Sequence, residues 1–133
     1  VVSLELEKMV RIDGLINLLE KKIAHTEESL KKAIKLKYEV LISTFRLALA
    51  TNLEKLAQHQ EAFIAGMMKM HQWYTQNPET LSQLLKKQLK SSQSVYKEGN
   101  VKTIDKIITL VKSVPKGTKP LGYFKEKIIH QKS

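Results

Sequence analysis

The stretch that decides the fold runs from Val40 to Tyr74 and reads VLISTFRLALATNLEKLAQHQEAFIAGMMKMHQWY. Its first part, Val40 to Ala50, is apolar almost throughout and carries Arg46 as its only charge. A helix that is apolar on every side is normally buried, and this run is shorter than the roughly 20 residues that span a bilayer. We therefore expect a buried helix here, with Phe45 and Leu49 in the core of the protein.

After Ala50 the pattern becomes one-sided, as in an amphipathic helix. One face is defined by residues at three- and four-residue steps, namely Leu53, Leu56, Gln60, Phe63, Met67, Met70 and Tyr74. Thr51 and Glu54 fit a capping box, which predicts a new helix or a kink at Thr51. Gly66 follows Ala62 by four residues, and this small pair predicts the close approach of a second helix.

The N-terminal segment shows the same helical periodicity. Its apolar stripe consists of Met9, Ile12, Ile16, Leu19 and Ile23, and Leu15 and Leu18 are expected to widen it. Thr26, followed by two acidic residues, predicts the start of a second helix. Residues 4–76 then form either three antiparallel helices or one or two very long helices that pair with another chain. We favour three helices, since typical helices run 8–20 residues.

The clearest boundary signal is Asn77-Pro78-Glu79, in which Asn77 caps a helix and Pro78 takes its first position. This helix is expected to reach about Lys97, and a helix over 101–111 and a short one over 120–130 follow. The predicted fold class is all-α, a helical bundle of four to six helices in which one or two are unusually long under the second interpretation. We expect residues 1–133 to form a single helical domain with a basic C-terminal third, 86–133.

The sequence lacks the usual signatures of catalysis and metal binding. There is no cysteine, so neither a disulfide nor a thiolate metal site can form. There is no HExxH motif, glycine-rich phosphate loop or nucleophile elbow. We therefore expect no catalytic residue, no metal and no cofactor. No signal peptide or transmembrane segment is visible, which predicts a soluble protein.

The positive charge is concentrated near the C-terminus. Residues 1–85 hold 11 Lys and Arg against 10 Asp and Glu, whereas residues 86–133 hold 12 Lys against 3 acids; the two balances, +1 and +9, make up the net charge of +10. Such an asymmetry predicts an anionic partner for the basic third. The alternative is a solvated basic surface that keeps the protein in solution.

Within the basic third, the candidate anion-binding residues are Lys116, Lys119, Lys125 and Lys127. They bracket an apolar tip formed by Leu121, Tyr123 and Phe124. Lysines around an apolar tip suit an anionic membrane surface, where the tip enters the headgroup region. The favoured alternative for the three tip side chains is that they anchor the last segment to the core.

The function that this pattern favours is a non-catalytic helical interaction module, which docks to a protein partner or an anionic membrane surface through its lysine-rich C-terminal third. Met68 and Trp73 lie off the apolar stripe and are the candidate protein contacts. The alternative is a nucleic-acid-binding protein that contacts phosphates without base readout, because lysine lacks the planar fork of arginine. Long helices would also allow a homo-oligomer.

Overall fold

The computed structural model describes residues 2–79, 82–83, 86–87 and 98–129 of the chain. These residues form helices α1 (Val2–Leu36), α2 (Glu39–Gln76), α3 (Glu98–Lys112) and α4 (Pro120–Ile129). No strand occurs in the described ranges, which confirms the all-α class. Within the same ranges, no helix joins the length of a bilayer span to the apolar composition that a span requires.

Helices α1 and α2 form a long antiparallel hairpin, and its tight turn follows a known helix-ending pattern. The N–H of Tyr38 donates to the carbonyl of Ala33 at 3.1 Å, and the N–H of Lys37 donates to the carbonyl of Ile34 at 3.1 Å. Lys37 has a φ of 60°. Together these features are a Schellman motif, in which the residue after the helix adopts the left-handed conformation.

Lysine is an unusual residue for this left-handed position, because its Cβ raises the energy of that conformation while glycine has none. We expect Lys37→Gly to increase the free energy of unfolding by about 0.5–1 kcal/mol, measured by urea denaturation, after allowing for the greater freedom of glycine in the unfolded chain. As a control, Lys35→Gly inside the last turn of α1 should reduce it by about 1 kcal/mol. A loss of stability in Lys37→Gly would contradict this account of the turn.

The hairpin contains two helices of 35 and 38 residues, so the favoured prediction of three antiparallel helices was wrong. The two expected helix starts are interior positions: Thr26 Oγ1 donates to the carbonyl of Lys22 at 2.8 Å, and Thr51 Oγ1 donates to that of Leu47 at 3.0 Å. A threonine hydroxyl bonded four residues back is compatible with a continuous helix. The helices are long, as in the second interpretation, but they pair with each other.

Helices α3 and α4 pack across the hairpin near its open end, and the core lies where they meet it. The core residues are Leu6, Met9, Ile12, Ile16, Phe63, Ile64, Met67, Met70, Ile104, Ile107, Val111 and Phe124. The predicted stripe of α1 is buried as expected. Leu15 and Leu18, however, are 39% and 51% exposed. The prediction that they widen the buried stripe was wrong. The neighbouring helices cover a strip of α1 that is narrower than the set of apolar residues on its surface.

At Gly66, helices α1 and α2 lie closer together than a side chain at this position would allow. A Cβ built on Gly66 would lie 2.7 Å from Cγ and 2.8 Å from Sδ of the buried Met9. These distances are shorter than real Cβ contacts. The prediction that Gly66 serves helix packing is therefore confirmed.

The start of α2 contradicts the expectation of a buried helix. Val40 is 80% exposed and Leu47 is 70% exposed, while Phe45 and Leu49 are half-buried. The core cluster that includes α3 and α4 does not reach this part of the hairpin, so α1 is the main neighbour of the first turns of α2. A two-helix contact covers one stripe of each helix and leaves the remaining apolar residues exposed.

The boundary after α2 agrees with its prediction. Helix α2 ends at Gln76, and the N–H of Asn77 donates to the carbonyl of Trp73 at 2.9 Å. Pro78 and Glu79 are again helical. Most of the remainder of the helix that was predicted to reach Lys97 lies outside the described residues.

Candidate anion-binding surface

Helix α3 is fixed on the hairpin by a buried carboxylate. Asp13 of α1 is only 6% exposed. Thr103 Oγ1 donates to its Oδ2 at 2.9 Å, and Lys106 Nζ approaches its Oδ1 at 3.4 Å. Lys106 Nζ also lies 5.7 Å from the ring centroid of Phe63. Lys106 therefore has a structural role, and it contributes little to any surface that binds an anion.

Sequence reasoning did not identify Asp13. It follows Ile12 of the apolar stripe and lies four residues after Met9, so a helical projection places it beside the buried face. This position could have indicated the role of Asp13, since a carboxylate at the edge of a core usually has a buried partner. The partner residues come from α3, 90 and 93 positions away in sequence.

Helix α4 is anchored by Phe124, which is completely buried. Its ring meets the ring of His71 edge-on, with centroids 6.0 Å apart and planes at 74°. The ring of Tyr123 meets it in a similar way, at 6.0 Å and 71°. Phe124 thus belongs to the core, as the favoured alternative held, and its ring is not part of an exposed apolar tip.

The other two residues of the predicted tip, Tyr123 and Leu121, differ in their burial and in their contacts. Tyr123 is half-buried, its hydroxyl forms a 2.8 Å hydrogen bond with the hydroxyl of Ser113, and Lys127 Nζ lies 5.6 Å from its ring centroid. Leu121 is 43% exposed. Of the three predicted tip residues, Leu121 alone presents a largely free apolar side chain.

The connection between α3 and α4 is a tight turn that presents lysines. The N–H of Thr118 donates to the carbonyl of Pro115 at 3.2 Å, and Gly117 has a φ of 82°. A β-turn with positive φ at its third residue requires glycine or asparagine. Lys116 lies in the exposed part of this turn, and Lys119 directly precedes the first residue of α4.

The lysines of this region are exposed, and in the described part of the chain the acidic residue among them is Glu126, between Lys125 and Lys127. Lys112, Lys116, Lys119 and Lys125 form none of the salt bridges found there, in contrast to Lys106. The first turn of α4 contains no acidic residue, so the positive end of its dipole adds to the lysine charges. We call Lys112, Lys116, Lys119, Lys125 and Lys127 the basic surface.

Met68 and Trp73, the candidate protein contacts on α2, are both half-buried. Each packs against the buried core cluster with part of its side chain. They therefore do not form the fully exposed pair that was predicted.

The chain matches no protein-family model, no curated protein and no solved structure.

Proposed function

We propose that this protein is a non-catalytic helical interaction module that docks on an anionic membrane surface through the basic surface. The observation that carries the proposal is the grouping of exposed lysines without described acidic partners on α3, α4 and their connection. The lysines are mounted on helices that Asp13 and Phe124 hold against the hairpin. These lysines lie between residues 112 and 127, on two helices and the turn that joins them, and in this proposal they bind the membrane as a group.

Three features favour a membrane over a nucleic acid. All basic residues after residue 85 are lysines, which bind phosphate as point charges and lack the planar fork with which arginine reads base edges. Single-stranded nucleic acids are usually held by stacking on aromatic rings, but the ring of Phe124 is buried and that of Tyr123 is engaged. The exposed Leu121 lies between Lys119 and Lys125 and suits shallow contact with headgroups.

The test exchanges charge at the four lysines that the sequence singled out. Lys116→Glu, Lys119→Glu, Lys125→Glu and Lys127→Glu together reverse eight charge units. Each lysine near anionic lipid contributes roughly 1 kcal/mol, so affinity for phosphatidylserine-containing vesicles should fall more than about tenfold. Co-sedimentation with these vesicles at several salt concentrations provides the measurement.

A matched control carries the same four substitutions on the hairpin, at Lys8, Lys21, Lys22 and Lys55, which are all exposed. This control should retain most of the affinity. If it loses as much as the first variant, only the net charge matters and the basic surface is not a site. If the wild-type protein ignores vesicles and binds duplex DNA instead, with an affinity that falls steeply with salt, the phosphate-binding alternative is correct.

A further inference from the structure

We call the side of the hairpin that α3 and α4 occupy the front face. A second surface lies on this face. Helix α4 ends on this face at Ile129, and beyond it the groove between α1 and α2 is open. The groove has a volume of about 800 Å³, and its apolar lining includes Ile23, Leu53, Leu56, Ile128 and Ile129. Leu53 is 47% exposed, so this part of the front face is apolar and uncovered by described residues.

The α1 residues along the groove form one wall of the front face, and the charge of this wall changes sign along the helix. Glu20 and Glu27 line the groove. Lys31 and Lys35 follow Glu27 at four-residue steps, which places them on the same side of the helix. The wall is acidic toward the middle of the hairpin and basic toward its tip. Two of these residues also have contacts within their own chain: Lys31 forms a 3.8 Å salt bridge with Glu28, and Glu20 has an interaction of its own.

A row of charges that runs from acidic to basic is electrostatically complementary to the same row running in the opposite direction. We infer that a second copy of this chain covers the open front face, with the two hairpins packed antiparallel around a two-fold axis near Glu28. This axis brings Glu27 of one copy within one helical turn of Lys31 of the other. It likewise brings Glu20 near Lys35, so each interface contains both charge contacts twice.

The dimensions of the uncovered face suit this partner. The core shared with α3 and α4 reaches Ile16 on α1 and Leu56 on α2. Residues 20–36 and 39–55 remain, which at 1.5 Å per residue form a face about 25 Å long and about 20 Å wide. This is a projected area of about 500 Å², and the side chains that project from the face raise its accessible area toward the roughly 800 Å² per partner of a standard interface.

The same axis also accounts for the exposed tip of the hairpin. Tyr38 and Val40 are 57% and 80% exposed. The end of α4 lines the same groove as Ile23 and Leu53, and rotation about an axis near Glu28 brings the tip of the second copy toward that groove. The tip of one copy therefore meets Ile128 and Ile129 of the other, and the dimer places four long helices around a shared apolar core.

The dimer is tested by charge exchange, and the measurement is the mass from light scattering over a concentration series. The wild-type protein should approach twice its chain mass of 15.2 kDa. Glu20→Lys with Glu27→Lys makes the wall entirely basic, and Lys31→Glu with Lys35→Glu makes it entirely acidic. Each double variant should be a monomer, whereas an equal mixture of the two should recover the dimer.

Matched controls distinguish this interface from general charge attraction. Glu7→Lys with Glu61→Lys, and Lys8→Glu with Lys55→Glu, make the same charge changes at exposed positions away from the groove; each of these proteins should remain a dimer. Leu53→Asp should give a monomer that keeps its helical circular dichroism, because Leu53 is already half exposed in one copy. Leu47→Asp, at a 70% exposed leucine that does not line the groove, should leave the dimer intact.

The inference is overturned if the wild-type protein has the mass of one chain at every concentration, since another occupant must then cover the groove. It is also overturned if Leu53→Asp keeps the dimer mass, or if the mixed charge variants stay monomeric. None of these outcomes depends on membrane binding, so the dimer and the proposed function are tested separately.

Discussion

Phe63→Ala should lower the free energy of unfolding by about 3–5 kcal/mol, the usual cost of removing a buried phenylalanine. Phe45→Ala should cost only about 1 kcal/mol, because a half-buried side chain gains less from transfer out of water and leaves no closed cavity. The two residues lie 18 positions apart, which is five turns of the same helix. They therefore project from one face of α2 and differ mainly in what covers them.

Phe63 is 1% exposed, because α3 completes the core around it, whereas Phe45 has α1 as its main neighbour. Urea denaturation of both variants measures the difference, at a protein concentration where light scattering reports a single chain. That condition keeps any second copy from adding to the burial of Phe45. Equal losses for the two variants would mean that both halves of the hairpin are covered to the same degree.

Phe124→Ala should be the other strongly destabilising change, with an expected loss of about 3–5 kcal/mol. Helix α4 has ten residues, and Phe124 is its buried residue. Ten residues do not form a stable helix by themselves, so the position of α4 depends on this contact. Removing the ring also removes its edge-on contact with His71.

Leu121→Ala is the control for Phe124→Ala, since it removes an apolar side chain from the same helix at a position that is 43% exposed. Its cost should stay below about 1 kcal/mol. Urea denaturation gives both values, and the chemical shifts of the His71 ring report whether α4 still lies against α2. A small loss in Phe124→Ala with unchanged His71 shifts would show that other contacts hold α4 in place.

The local features of the fold could be predicted from the sequence, because they depend on spacing within one helix. The stripe from Met9 to Ile23 is buried at 3.6-residue periodicity, and the break at Asn77-Pro78 follows from proline chemistry. The concentration of lysine after residue 85 is a property of composition. Gly66 indicated a close contact, although the sequence did not name Met9 as its partner.

The tertiary structure decided the features that depend on distant segments. The turn at Lys37 contains neither glycine nor proline, and it became visible only through the left-handed conformation that the hairpin imposes. Burial of Asp13 depends on Thr103 and Lys106 of α3, which bond its carboxylate. Phe45 and Phe63 have the same position on one helix face, yet burial is a property of the neighbouring surface, and α3 and α4 reach only one of them.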